Sequence, residues 1–359
     1  MNEVLEDQAG KAGEEHVVTR IYAATADELL VASRRNGGWQ TERGLAGSSP
    51  QSVVTDPSRP EVAYCGTFER GLWRSADAGG SWERVGEDVL RDPVMAVAIS
   101  TAEHGVVYAG TEPSAVYRSE DGGETWRELG GLRELPSEPE WSFPPRPETD
   151  HVRWISTDPN AAGCIYVAIE AGALVRSSDG GETWQDRVPD GPRDTHTLAV
   201  HEAAPGRLYS AAGDGFARVG MGYSESRDGG ESWQRFSSGL EHHYLWGLAV
   251  DPVDPETVVV SAASSPWKAH NPTGVESTIY RKEAGSSWRE VTDGLPETEG
   301  RTVSILASNK AEPGVFYTLT NGDLYRSPDG GLGWERLEID WPSGYRYRPS
   351  RALAVVEEG

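Results

Sequence analysis

Short runs in which apolar and polar residues alternate fill the chain, and each run is bounded by Gly, Pro, Asp or Asn. MAVAIS (95–100), VVYAGT (106–111), AVYRSE (115–120) and TWRELG (125–130) form one such series. Alternation of this length predicts half-buried strands joined as antiparallel hairpins. No run approaches the ~18 apolar residues of a spanning helix.

The series repeats. SADAGGSW (75–82), SEDGGETW (119–126), SSDGGETW (177–184) and SRDGGESW (226–233) are near copies, SPDGGLGW (327–334) and RKEAGSSW (281–288) are worn copies, and SRRNGGW (33–39) is a shortened one. Their tryptophans, Trp39, Trp82, Trp126, Trp184, Trp233, Trp288 and Trp334, lie 43, 44, 58, 49, 55 and 46 residues apart. A four-stranded unit of about 40–45 residues written many times predicts a β-propeller. The expected fold is all-β: one seven-bladed propeller over residues 16–359, with a disordered acidic tail at 1–15. The first unit (RIYAATAD, ELLVASRR, WQTERGL) lacks its innermost strand, and RALAVVEE (351–358) supplies one. Pairing the C-terminal strand with the N-terminal blade closes the ring and hides two sheet edges.

The consensus S-x-D-x-G-x-T-W resembles the Asp-box, or BNR repeat. The chain is similar to the BNR-repeat propellers: sialidases, the xyloglucanase type of glycoside hydrolase, sortilin-like receptor domains and photosystem assembly factors. That resemblance implies the fold but leaves function open, since those relatives include enzymes and non-enzymes. Asp77, Asp121, Asp179, Asp228 and Asp329 read as turn builders: an Asp at this spacing accepts hydrogen bonds from the turn's own amides, and Gly supplies the positive φ.

In a propeller blade the turns joining strands one to two and three to four share one face. On that face every connection is short. The opposite face receives the extra length, at 133–150, 187–195, 212–222, 237–243, 262–277 and 341–350. Long connections on one side of a rigid scaffold are where sites are built. Aligned where they enter from that face, the innermost strands give Gln51, Met95, Arg153, His196, Trp246, Val303 and Arg351. Two residues further on, the series is aliphatic: Val53, Val97, Ile155, Leu198, Leu248, Ile305 and Leu353. Two residues earlier lie His151, Asp194, Tyr244 and Arg301.

Charge narrows the function. The 359 residues carry 57 Asp and Glu against 33 Lys and Arg, a net charge of −24, with a pI near 4.7. Such a surface repels phosphate, so neither nucleic acid nor an anionic membrane is an expected partner. The polar start MNEVLEDQAGKAGEEH has no basic n-region and no apolar h-region, and leads us to expect a cytoplasmic protein. Two cysteines, Cys65 and Cys164, fall on non-adjacent blades and are expected as thiols, not a bridge.

Against that acidity, Arg153, Arg301 and Arg351 near the channel mouth suggest a small anionic or carbohydrate-like ligand, because the guanidinium fork matches carboxylate or phosphate. The other reading pairs each with a local carboxylate. Gln51, Tyr244, Trp246 and Trp141 complete the candidate ligand-binding set. His196 is the candidate general base, with Asp194, Glu170 and Glu112 as acidic partners. This points to a hydrolase or lyase, and two carboxylates across a cleft suit glycoside hydrolysis. His151, His196 and His243 could instead hold a divalent metal for a lyase. A non-catalytic binding or assembly scaffold using the same face is the remaining alternative.

Overall fold

The computed structural model describes residues 18–35, 37–271, 273–341 and 349–358. The expected tail at 1–15 lies outside the described residues, as does most of the last long connection (342–348). Seven antiparallel sheets follow one another along the chain. The innermost strands are Ser350–Glu358, Pro50–Asp56, Val94–Ile99, Val152–Thr157, Thr195–Val200, Tyr244–Val250 and Ile305–Ser308. Each contacts the next and the last contacts the first, so the blades form a closed ring. The ring is shut as the sequence suggests: Ser350–Glu358 pairs antiparallel with Val18–Thr25 across the two chain ends. Six sheets have four strands. In blade 4 the fourth strand shrinks to one bridge, Arg176 to Gln185.

Each blade is sandwiched between two others, which explains the second strands. Val107–Thr111, Ile165–Ile169, Leu208–Ala212 and Val258–Ala263 are buried along their whole length. Both faces are covered, so small and β-branched residues replace the alternation of a half-exposed strand.

The Asp-boxes are turns in every copy that keeps its Asp. In blade 3, Asp121 Oδ1 accepts from Ser119 Oγ at 2.8 Å and from the Thr125 amide at 2.9 Å, and Ser119 Oγ accepts from the Gly123 amide at 2.8 Å. Asp77, Asp179, Asp228 and Asp329 repeat the pattern. In blade 4 the last glycine of the box, Gly181, has φ +91°, and a Cβ there would stand 2.3 Å from Leu129 of the preceding blade. The box tryptophans fill the seams between blades: Trp288 donates to the Phe236 carbonyl at 2.8 Å and packs in the cluster shared by blades 5 and 6.

One irregularity recurs in the innermost strands. Pairing skips a residue between Pro50 and Ser52, Val94 and Ala96, Val152 and Trp154, and Thr195 and Thr197. It also skips in the pairing that places Ala24 opposite Ala352 and Thr25 opposite Ser350, and between Leu245 and Leu248. The extra residues are Gln51, Met95, Arg153, His196, Arg351 and the pair Trp246–Gly247. A bulge leaves its extra residue out of the ladder and re-aims its side chain. Bulges therefore sit at the channel mouth, at the ring positions aligned from sequence. Blade 7 departs: its inner strand begins only at Ile305 and shows no bulge.

Candidate functional site

The central channel contains two chambers. The mouth chamber, about 390 Å³, lies toward the long connections, and Phe68, Phe143, Arg146, His151 and Glu170 help line it. The deeper chamber, about 320 Å³, is walled largely by aliphatic residues, including Val53, Val97, Ile155, Leu198 and Leu353. Gln51, Arg153, Trp246 and Arg351 border both chambers and form a collar between them.

Two cations dominate the collar. The Arg153 guanidinium lies 4.6 Å over the Trp246 ring. Its Nε is 3.6 Å from Glu170 Oε2, beyond hydrogen-bond range, and has no hydrogen-bond partner. Burial lowers the Arg153 pKa, with Glu170 opposing. Arg351 is exposed, its pKa is lowered by its surroundings and by the charge of Arg153, and it shows no hydrogen bond to a described residue. Two guanidiniums thus border one cavity, Arg153 with Glu170 as a nearby counter-charge and Arg351 with no ion pair to a described residue.

Beside them stands a carboxylate–imidazole group, of which His151 and Glu170 line the mouth chamber while Asp194 and His196 adjoin Glu170 without lining either chamber. His151 directly precedes the inner strand of blade 4, Glu170 follows the second strand of that blade, and Asp194 directly precedes the inner strand of blade 5. His151 Nε2 lies 2.8 Å from Glu170 Oε2. His196 Nε2 lies 3.6 Å from Asp194 Oδ1 and 4.0 Å from Glu170 Oε1. The Asp194 carboxylate also accepts from the Ala171 amide at 2.8 Å. Burial pulls the Glu170 pKa up, but the His151 hydrogen bond and the charges of His151, His196 and Arg153 outweigh it and hold that carboxyl below its ordinary value. Asp194 moves the other way: burial, with the charges of Glu170 and Asp214, raises it against His196. Two neighbouring carboxyls driven apart in this way suit an ionised and a protonated role. Gly213 makes room for them, since a Cβ there would lie 2.0 Å from Asp194 Oδ2 and 2.8 Å from His196 Cε1.

His196, Tyr244 and Trp246 form one aromatic group, with His196 4.4 Å from Trp246 and 5.0 Å from Tyr244 between ring centroids. His270, which sequence reasoning did not single out, joins them. Its ring is 4.4 Å from Trp246, and its Nε2 shares a 3.1 Å hydrogen bond with the Tyr244 hydroxyl. It ends the short helix Pro266–His270 inside one long connection, where no periodicity marks it. Phe68 and Arg146 were missed for the same reason.

Several expected site residues are placed elsewhere. Arg301 is fully buried and donates to the Ser277 carbonyl at 2.9 Å. Without a bulge in blade 7, nothing turns it toward the channel. Trp141 is buried in the core between blades 3 and 4, with its Nε1 on Ser137 Oγ at 3.0 Å. Glu112 is held by both arms of Arg146, at 2.9 and 2.6 Å, and does not face the mouth chamber. The three-histidine metal set does not assemble. His243 lies three positions before Trp246, whereas His151 lies two before Arg153, and one residue of register reverses the side a strand residue faces. Among the described residues, the group able to hold a cation is Glu170, Asp194 and His196. Cys65 and Cys164 are free thiols. No helix among the described residues is long and apolar enough to cross a membrane.

No protein-family profile matches the chain. It is 26% identical over 345 residues to a xyloglucanase of Paenibacillus sp, covering 87% of this chain and 28% of that protein. It thus spans little more than a quarter of that relative's length. Among solved structures it resembles the GH74 xyloglucanase from Xanthomonas campestris, with TM-score 0.60, 19% identity, and 81% of this chain matched to 45% of that one. It also resembles YCF48 bound to D1 peptide, with TM-score 0.57, 15% identity, and 90% of this chain matched to 86% of that one. Likeness to structures at such identity concerns the fold. Together with the seven blades, these relatives fit a BNR-type propeller family.

Proposed function

We propose that the chain binds a small anionic, sugar-like molecule in the mouth chamber and acts on it by acid–base chemistry, as a glycoside hydrolase-like enzyme or a lyase. The observation that carries this reading is the Arg153–Arg351 pair, two cations bordering one cavity with Glu170 as the nearby counter-charge of Arg153 alone, in a protein of net charge −24. The similarity to a xyloglucanase supports a carbohydrate framework for the ligand.

The arginines hold the acid group, and the wall beside them moves the proton. His196 Nδ1 donates to the Leu245 carbonyl at 2.6 Å, so in the neutral ring Nε2 is the acceptor. Glu170 stays ionised and orients the His151 edge of the chamber, while Asp194 is the group best suited to return a proton. Facing oxygens of Glu170 and Asp194 lie within 4.8 Å, short of the about 6.5–9.5 Å that an inverting glycosidase keeps for its water. Elimination next to the ligand's carboxylate, or retaining hydrolysis in which one carboxylate displaces the leaving group and water then cleaves the glycosyl-enzyme, fits that spacing better. The cytoplasmic setting expected from the N-terminal composition belongs to this proposal, and cell fractionation checks it.

Titration calorimetry with glucuronate and with glucose tests the reading. The acid is expected to bind and the neutral sugar not, with Arg351→Ala weakening the acid by about 10–100-fold, the value of a charged hydrogen bond of about 1.5–3 kcal/mol. Equal binding of both sugars, or an Arg351→Ala variant that binds glucuronate like the parent, overturns it. One observation favours the scaffold alternative: Phe216, Val219 and Trp267 on the long connections are 58%, 74% and 69% exposed, as a partner-binding face would leave them. Unaltered glucuronate binding with no turnover of any acidic sugar or lactone would select that alternative.

A further inference from the structure

His196 is 1% exposed, and its Nδ1 is committed to the Leu245 carbonyl at 2.6 Å. A carbonyl only accepts, so Nδ1 carries the hydrogen and Nε2 of the neutral ring presents a lone pair. That lone pair is aimed at Asp194 Oδ1, 3.6 Å away, and Glu170 Oε1, 4.0 Å away. Both separations are too long for a hydrogen bond. With the ring neutral, three electron-rich atoms thus converge beside the mouth chamber, which Glu170 alone of the three residues lines. The nearest fixed cation, Arg153, approaches the other oxygen of Glu170, Oε2.

We propose that Glu170, Asp194 and His196 bind a first-row divalent cation of the Zn²⁺ or Mn²⁺ type, bordered on the mouth-chamber side by Glu170. Ligands about 2.1 Å from a tetrahedral centre stand about 3.4 Å apart, close to the spacing of His196 Nε2 and Asp194 Oδ1. One imidazole with two carboxylates selects this class over Ca²⁺, which takes oxygen ligands. The outer partners of a metal centre are also in place. The imidazole donates its other N–H to a carbonyl, His151 holds the second oxygen of Glu170 at 2.8 Å, and the Ala171 amide supports Asp194. Three protein ligands leave a position for water or for an oxygen of the bound molecule. The inference rests on the proposed function only for what that position acts on, and a water held there would replace His196 as the proton acceptor.

Calorimetry of the whole, chelator-treated protein with ZnCl₂ or MnCl₂ alone, together with elemental analysis after dialysis, tests the site. One equivalent is expected to bind, at least tenfold more weakly in the isosteric Asp194→Asn variant and in His196→Ala, and unchanged in His243→Ala. CaCl₂ is expected not to compete. Parallel titration with glucuronate separates the two readings, because Arg351→Ala should lose the acid yet keep the cation. No bound equivalent, or binding that survives Asp194→Asn and His196→Ala in variants folded by circular dichroism, overturns the metal site and leaves the anion reading standing.

Discussion

The deeper chamber of the channel draws on all seven innermost strands and the mouth chamber on five of them, yet the mouth is polar and cationic and the deeper chamber largely aliphatic. Arg153 and Ile155, or Arg351 and Leu353, sit two positions apart on one strand. The bulges lie at the mouth end of the strands. Below them the ladder is regular apart from a second shift between Thr55 and Asp56 in blade 2, and the aliphatic series packs blade against blade around the axis. At the bulge one residue, or in blade 6 two, escapes the ladder in every innermost strand but that of blade 7, and its identity is released from packing. The deeper chamber is therefore where the ring is held together, and the collar is where chemistry was free to be installed.

That division predicts separable effects, the largest below the collar. Leu198 is 2% exposed and borders the deeper chamber. Leu198→Ala is expected to cost about 2–3 kcal/mol in denaturant unfolding, the low end for a core leucine because the site already adjoins open space. Glucuronate affinity should stay within twofold of the parent, and a collapse of affinity would break the division. Gly213→Ala acts on the mouth side. Its methyl carbon would collide with Asp194 Oδ2, 2.0 Å away, so turnover of an acidic substrate should fall at least tenfold while unfolding changes by less than about 1 kcal/mol. Loss of stability with turnover retained would show the wall to be structural.

The smallest effect is on the outer turns. Their hydrogen bonds to Thr125, Thr183 and Ser232 hold Asp121, Asp179 and Asp228 down at about 2, against an ordinary 3.8. Depressed folded values contribute stability above about pH 3.8 that is lost as pH falls toward 2. These turns are exposed, so the shared loss should be modest. Thermal unfolding between pH 4 and pH 2 in Asp121→Ala is expected to show a shallower acid slope than the parent. An identical slope would place the acid sensitivity in the channel instead.

The fold was legible because its cause is local and repeated. The Ser–Asp–Gly–Trp turn is written into the sequence of five blades, and its spacing counts them. The ring positions were legible as well, since aligning the strands needs only register. What the sequence hid was whether each position carries a bulge. Val303 and Arg301 look equivalent to Trp246 and Tyr244, but blade 7 starts its strand later and buries Arg301 in loop packing. The insertions were harder still. Trp141 and Phe143 are two residues apart, yet one is core and the other lines the mouth, and His270 reaches Trp246 from a helix that obeys no blade period.

Arg351 belongs to the strand that zips the two chain ends together, and its partner Arg153 sits three blades away. During synthesis blades 2 to 7 can assemble while the receptor still lacks half of its charge. On the proposed function, full-strength binding of the acid requires residues 350–358 to lock onto the first blade, so a copy without that strand is expected to bind it at least as weakly as Arg351→Ala.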